Sequence, residues 1–326
     1  MTIAEAISAY LENLALFRSE ATVRAYRNGL EAFGAALEAK KYPPAETPLE
    51  NLPEEGVKWL AIWLKRTDRS AATERLYLAA AVGFYKYLVA EELAELNLPR
   101  VQLLLAQNSR QPGRRLPQFP REAIEQLLTY ALQLKDHPTE DMQEHLRNLR
   151  DRAFLLTLAD TGLRVHEACG LRRGDVDWAE GRAVIIGKGD KEAVIRFSMR
   201  ALQALREYLE VRQPVDTTAG RPLPTLPLFA GHGPRNQGKL KTMTTKAGRD
   251  VVRQHVAECL GKEAEGTITP HSFRHYFVTT VLRATGGNIH AAQKLARHSN
   301  INTTERYAHL SDDELDQTYH EVFNPD

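Results

Sequence analysis

The 326-residue sequence has little of what a secreted, membrane or metal-cluster protein needs. It holds two cysteines, Cys169 and Cys259, which lie far apart and form no CxxC pair. A disulfide framework or a cysteine zinc site is therefore not expected. No stretch approaches the roughly 20 apolar residues of a membrane span, and the start carries Glu5 without a basic segment followed by an apolar run. We expect a cytoplasmic protein with no membrane partner.

The sequence also lacks a large excess of positive charge. With 43 Lys and Arg against 42 Asp and Glu, its net charge is +1. A clearly basic domain is the usual mark of a nucleic-acid-binding protein, and the visible basic cluster here is limited to Arg110, Arg114 and Arg115. Net charge alone therefore gives no argument for a nucleic-acid partner. The length and the 43% apolar content fit a globular protein of two domains.

The first 105 residues predict a helical domain. Apolar residues recur at three-to-four spacing over residues 3–14 and 22–33, and residues 59–65 and 73–89 continue the pattern. Short breaks separate these segments, which favours a compact four-helix domain over residues 1–105. The apolar pattern then lapses in a stretch rich in proline and arginine. We predict an interdomain linker at residues 106–118.

Residues 119–326 predict a second domain of the α+β type. Helical patterns over residues 121–134 and 146–160 give way to two β-branched runs that flank a turn at 188–191, which predicts a hairpin. A third short strand is expected near residues 175–178. Residues 214–238, rich in proline and glycine, predict a long surface loop, after which helices return. The whole chain is thus mainly α, with a small antiparallel sheet.

A first polar motif lies after the predicted helix 146–160. Gly162 breaks the helix, Arg164 follows, and Glu167 comes three residues later on the same helical face. By itself this spacing also fits an ordinary exposed ion pair, which contributes little to stability.

A second motif opens a later helix. Thr269 can cap that helix and Pro270 suits its first turn, so His271 and Arg274 project one turn apart near the N-terminus. Helix N-termini and guanidinium groups both favour phosphate. The alternative is a capped helix with a structurally satisfied histidine.

A third motif follows a predicted helix over residues 288–297. His298 comes directly after it, and Asn302 with Glu305 predicts the cap of a short helix that holds Tyr307. Considered alone, a tyrosine at such a place is ordinarily a packing residue.

In combination and in this order, these motifs and a hairpin lysine resemble the tyrosine recombinase (phage integrase) family, in its Xer-like size class. The resemblance covers about residues 119–310 and is strongest in three stretches: 161–167, 187–191 and 298–307. The N-terminal helices resemble the family's core-binding domain more weakly. The resemblance implies a site-specific recombinase, with a core-binding domain at 1–105 and a catalytic domain at 119–326. It would cut and rejoin DNA through a 3′-phosphotyrosine intermediate without metal or cofactor.

The resemblance also implies a role for each motif residue. Arg164, Arg274 and His298 would hold the scissile phosphate while Tyr307 attacks it.

The family places proton transfer and orientation on three further residues. His271 would help to accept the tyrosine proton, and Lys188 would protonate the leaving 5′-oxygen. Glu167 would orient the first arginine and the histidine. Spacing alone does not choose between Lys188 and Lys191; the family match selects Lys188.

Two positions depart from the family pattern. Arg297 stands where glycine usually precedes the third-motif histidine, and Phe273 stands where leucine is commoner. Neither removes a catalytic group, and Arg297 would alter the turn or add a DNA contact.

The resemblance further implies double-stranded DNA as partner and a homo-tetramer on synapsed DNA, with the tail after Ser311 docked on a neighbour. The tail's apolar spacing equally fits packing on its own domain. Three other functions stay open: a type IB topoisomerase, which shares the tyrosine chemistry, a DNA-binding protein that has lost activity, and a helical protein-interaction module. The compact size and the third motif favour recombination.

Overall fold

The computed structural model describes residues 1–67, 69–108, 120–186, 192–232 and 240–297. The chain divides into two compact units, Met1–Arg115 and Leu116–Asp326. Both are helical apart from small antiparallel sheets in the second, so the predicted fold class is confirmed. None of the helices in the described ranges combines the length and the apolar character that a bilayer span requires.

Unit 1 contains five α-helices within the described residues: α1 (Ile3–Phe17), α2 (Glu20–Glu38), α3 (Gly56–Arg66), α4 (Ala71–Ala90) and α5 (Leu98–Asn108). Side-chain caps set three of their starts. Thr2 and Glu5 form a capping box at α1, and the Ser19 and Ser70 hydroxyls accept hydrogen bonds from the backbone of the first turns of α2 and α4.

Aromatic side chains form the centre of unit 1. Phe33 of α2 packs edge-on against Phe84 and Tyr85 of α4, and all three rings are fully buried. The Tyr85 hydroxyl keeps a partner by donating to the carbonyl of Pro53 at 2.6 Å. The unit therefore has a core of its own.

Helix α5 extends the predicted four-helix domain. It begins after Asn97, whose side chain accepts from the N–H of Arg100 at 3.0 Å, and Arg100 in turn pairs with Glu54. Val101 is its only fully buried side chain, so its apolar pattern is too weak to predict from sequence. The helix runs to Asn108, past the predicted linker start at residue 106.

Unit 2 contains eight α-helices within the described residues: α6 (Arg121–Gln133), α7 (Met142–Thr161), α8 (Val165–Gly170), α9 (Met199–Val211), α10 (Gln213–Thr217), α11 (Thr245–Leu260), α12 (Pro270–Ala284) and α13 (Ile289–Ala296). Helix α7 is central, because its C-terminal half is buried on every side, from Leu149 to Ala159. A helix buried all round must lie inside its domain. The turn that follows α7 therefore starts in the core of unit 2.

Three antiparallel strands, β1 (Val176–Asp177), β2 (Arg182–Ile186) and β3 (Glu192–Arg196), form a sheet in the order β1-β2-β3. Both the hairpin and the third short strand are confirmed. Ala183 pairs with Ile195 on the buried face, and Ile186 pairs with Glu192 at the end that leads into the turn. The turn itself, 187–191, lies outside the described residues.

The prediction of a surface loop at 214–238 is wrong for residues 214–217 and 226–231, whereas residues 218–225 are largely exposed, as predicted. Residues 213–217 form α10, Leu228 and Phe229 are fully buried, and β4 (Ala230–Gly231) pairs with β5 (Lys241–Thr242). Arg212 makes this burial possible. Its guanidinium donates to the carbonyls of Pro227 and Leu228, at 2.9 Å each, and pairs with Asp216. Backbone polar groups that enter a core need such partners.

Candidate active site

The candidate site begins at the turn that ends α7. The Thr161 hydroxyl donates to the carbonyl of Thr157 at 2.6 Å and accepts from the N–H of Leu163 at 3.2 Å. Gly162 has a left-handed backbone, with φ 60° and ψ 22°, a conformation that glycine adopts at little cost. The turn also lies against Phe277 of α12. These contacts direct the following residues toward α12.

Arg164 and Glu167 form a bonded pair at the start of α8. The Glu167 carboxylate accepts from the backbone N–H of Arg164 at 2.9 Å and from its guanidinium at 2.8 Å. The Glu167 side chain is 3% exposed, whereas that of Arg164 is 43% exposed. A buried carboxylate thus fixes the position of Arg164, whose guanidinium keeps a surface that a ligand can reach. In an ordinary surface ion pair, both side chains would be exposed and neither would be fixed.

The charge state of Glu167 follows from these bonds. Burial alone would raise its pKa, but the hydrogen bonds from Arg164, together with the positive charges of Arg297 and Arg164, outweigh burial and hold the pKa below its usual range. The carboxylate is therefore ionised near neutral pH and can keep Arg164 in place.

Arg274 is buried, and its guanidinium lies between the ends of two helices. It donates to the carbonyl of Gly162 at 2.6 Å and to the carbonyl of Ala296, the last residue of α13. The C-terminal ends of helices carry partial negative charge, so both ends favour a buried cation. Arg274 thereby joins α12 to the turn that carries Arg164.

His271 lies one turn before Arg274 on α12, after the predicted cap Thr269, whose N–H donates to the Ser272 hydroxyl at 3.1 Å. The ring keeps an exposed surface, yet surrounding protein desolvates part of it. That desolvation, with the positive charges of Arg274 and Arg164, lowers its pKa. A neutral imidazole is the form that can accept a proton.

The structure brings together four predicted site residues: Arg164, Glu167, His271 and Arg274. Three others, Lys188, His298 and Tyr307, lie outside the described residues. The described neighbours give their chain positions. Lys188 belongs to the segment between the paired ends of β2 and β3, and His298 follows Arg297, the residue that ends α13.

Two further residues at the site were not among the predicted ones. His275 packs edge-on against His271, with ring centroids 4.2 Å apart. Burial, followed by the charges of His271 and Arg274, lowers the pKa of His275 to about 4. Arg297 contacts Glu167. The sequence signal for His275 was its i+4 spacing from His271. The signal for Arg297 was that an arginine stands where the family usually has glycine.

Comparison with known proteins gives two family matches. Residues 122–314 match the model of the phage integrase family, and residues 7–92 match that of the phage integrase N-terminal SAM-like domain.

Among curated proteins, the chain is 34% identical over 243 residues to the tyrosine recombinase XerC of Pelobacter propionicus, covering 74% of this chain and 70% of that protein. It is 29% identical over 319 residues to the tyrosine recombinase XerC of Thermodesulfovibrio yellowstonii, covering 96% and 94%.

One similar solved structure is the XerH site-specific recombinase bound to a palindromic difH substrate in a post-cleavage complex. The TM-score is 0.65 at 18% identity, over 97% of this chain and 94% of that one. At this identity the likeness concerns the fold.

Proposed function

Because the chain belongs to the phage integrase family and is a tyrosine site-specific recombinase, we propose that it cleaves and rejoins double-stranded DNA through a covalent link to Tyr307. The strongest support is the convergence of Arg164, Arg274 and His271 at the C-terminal end of α7. Two cationic side chains beside a neutral imidazole suit phosphoryl transfer by a tyrosine.

Phosphate stabilisation is the proposed role of the two arginines with His298. A guanidinium donates to phosphate oxygens in a fork, and donors held in place before the reaction stabilise charge that develops in the transition state. Glu167 fixes Arg164, and two helix-end carbonyls fix Arg274. These contacts hold both guanidinium groups in place before a phosphate binds. The proposal includes independence from divalent metal, because the cationic side chains take the role of the ions.

The proton transfers divide between two residues. An unshifted tyrosine titrates near pH ~10, so attack at neutral pH needs a base, and His271 with its lowered pKa is the proposed acceptor. Attack of the Tyr307 oxygen on phosphorus forms the 3′-phosphotyrosine and breaks the bond to the 5′-oxygen. Lys188 would donate a proton to that oxygen. The reverse steps rejoin the strand.

Further elements of the proposal concern the partner and the assembly. The helical unit at residues 1–105 would contact the DNA core site, and residues 119–326 would carry the chemistry. Four chains would assemble on two synapsed duplexes, and the assembly would be cytoplasmic. The structures of relatives bound to DNA support a DNA partner.

A covalent capture experiment tests the proposal. The chain is incubated with a library of duplex DNA, adducts are isolated under denaturing conditions, and the linked peptide and DNA end are sequenced. We expect adducts at Tyr307 joined to a 3′-phosphate at a defined sequence. Strand exchange between two such sites would separate recombination from the simple relaxation that a type IB topoisomerase performs. No adduct from any sequence would refute the proposed function.

A further inference from the structure

Arg297 has a backbone conformation that disfavours any side chain. It ends α13 with φ 56° and ψ 43°, in the left-handed region. A residue with a β-carbon loses free energy there, whereas glycine does not. Such a residue persists where its side chain makes compensating interactions.

The Arg297 side chain is withdrawn from solvent, with 11% of its surface exposed. Its Nη2 lies 3.4 Å from a carboxylate oxygen of Glu167 and 3.5 Å from the carbonyl oxygen of Gly162. Its Nε and Nη1 atoms are buried without a hydrogen-bond partner among the described residues. Burial lowers the pKa of the guanidinium, and the charge of Arg164 acts in the same direction against the attraction of Glu167.

Both groups that Arg297 contacts already serve a phosphate-binding arginine. Glu167 accepts from Arg164, and the carbonyl of Gly162 accepts from Arg274. Arg297 therefore contacts both the carboxylate that binds Arg164 and the carbonyl that binds Arg274. One carboxylate, Glu167, pairs with two guanidinium groups, so this corner of the site keeps an excess of positive charge, which an anion would balance.

From these contacts we infer that Arg297 is a positioning residue of the recombinase, which holds the Glu167 carboxylate and the Gly162 carbonyl so that Arg164 and Arg274 meet the scissile phosphate together. This inference rests on the proposed function. It also explains why an arginine occupies a position whose backbone suits glycine. The guanidinium ties the end of α13, directly before His298, to the turn after α7.

Two substitutions separate this role from folding. Arg297→Gly removes the guanidinium and at the same time relieves the backbone, so the variant should fold as well as the wild-type chain. Arg297→Lys keeps a charge near Glu167 but loses the planar fork. Glu92→Gly is the matched control. Glu92 is likewise a non-glycine residue with a left-handed backbone, φ 54°, but it lies in unit 1.

The first measurement is the pKa of the Glu167 carboxyl group in the full chain without DNA. Glutamate is labelled with ¹³C at its carboxyl carbon, and the signal of Glu167 is assigned with Glu167→Gln. Removing a neighbouring positive charge disfavours the carboxylate. We expect the pKa to rise in Arg297→Gly, to rise less in Arg297→Lys, and to stay unchanged in Glu92→Gly. An unchanged value in Arg297→Gly would overturn the inference.

The second measurement compares DNA binding with single-turnover cleavage. Misplaced phosphate donors slow the chemistry by about 10²-fold, so Arg297→Gly should lose roughly that factor in cleavage rate while its Kd for DNA changes little. Arg297→Lys should recover part of the rate. Cleavage by Arg297→Gly at the wild-type rate would refute the inference and leave the proposed function intact. If the wild-type chain forms no adduct, the proposed function fails and the role in recombination fails with it, whereas the DNA-free pKa measurement separately shows whether Arg297 acts on the Glu167 carboxylate.

Discussion

The Phe277 ring lies so close to the backbone of Gly162 that a β-carbon on Gly162 would be 2.5 Å from Cδ1 of Phe277. Gly162 also has φ +60°. Two independent constraints, one on backbone conformation and one on space, thus require glycine at the turn that directs Arg164 toward α12. The contact between these two residues sets the spacing between two of the three site motifs.

Substituting Gly162 with alanine should destabilise the chain strongly. The left-handed backbone costs an alanine about 1–2 kcal/mol, and the overlap with Phe277 adds about 1–3 kcal/mol of overpacking. The free energy of unfolding of unit 2, measured by urea denaturation, should fall by the sum of these two losses.

Gly220→Ala is the matched control. Gly220 has φ +64°, and a β-carbon there would meet nothing within 4 Å. This variant should lose only the backbone contribution. Equal losses in the two variants would show that the contact with Phe277 adds no constraint.

The pH dependence of cleavage should report on His271. Because the pKa of its imidazole is lowered by desolvation and by the charges of Arg274 and Arg164, the neutral, proton-accepting form is present at pH 7. The single-turnover rate should therefore be flat near neutrality and fall only as the pH drops below ~6.5, the ordinary histidine value. His271→Ala should lower the plateau by about 10²- to 10⁴-fold and remove this acid limb. His290→Ala, at an exposed histidine of α13, is the control. An acid limb that survives in His271→Ala belongs to another group.

Local patterns predicted much of this fold. The hairpin of β2 and β3, the cap Thr269 and the Arg164–Glu167 pair all depend on residues a few positions apart. Spacing is informative at this range because helices and strands repeat over a few residues.

Features that depend on residues far apart in the sequence were not predictable from local patterns. Residues 226–229 are buried, and Arg212 donates to the carbonyls of two of them, Pro227 and Leu228. Their Pro- and Gly-rich surroundings carry no sign of this burial. Arg297 was visible as a departure from glycine, but its burial beside Gly162, 135 positions earlier in the chain, needs the packed structure.

Tyr307 is predicted to be the nucleophile because of its spacing from His298. Tyr307→Phe should bind DNA with unchanged affinity and form no covalent adduct, since it keeps the ring and loses the attacking oxygen. Gel-shift and denaturing-gel assays on the same samples measure the two properties. Tyr319→Phe is the matched control and should form adducts as the wild-type chain does. An adduct mapped by mass spectrometry to Tyr319 or Tyr276 would contradict the assignment.

Cleavage should persist in excess chelator. The proposed mechanism assigns charge stabilisation at the phosphate to arginine and histidine side chains, which chelators do not remove. Single-turnover rates with EDTA and with Mg²⁺ should agree once ionic strength is matched, because salt alone weakens DNA binding. Activity that disappears with EDTA and returns with Mg²⁺ would mean that an ion performs part of the chemistry.

The general acid can be identified by changing the leaving atom. Lys188 and Lys191 both belong to the segment that joins β2 to β3, and a hairpin lysine is ordinarily only solvated. Lys188 is flanked by Gly187 and Gly189, small neighbours that let a backbone approach DNA closely. If Lys188 protonates the 5′-oxygen, Lys188→Ala should slow cleavage by about 10²- to 10⁴-fold on ordinary DNA.

A substrate with sulfur in the 5′-bridging position separates acid catalysis from every other role of these lysines. A thiolate leaves without protonation, so this substrate should restore cleavage by Lys188→Ala to nearly the wild-type rate. Lys191→Ala should show no such selective recovery, because the loss of a DNA contact slows both substrates equally. Recovery in Lys191→Ala with none in Lys188→Ala would exchange the two roles. Equal behaviour of both variants on the two substrates would place the acid outside the hairpin, since only the residue that delivers the proton becomes dispensable when the leaving atom no longer needs one.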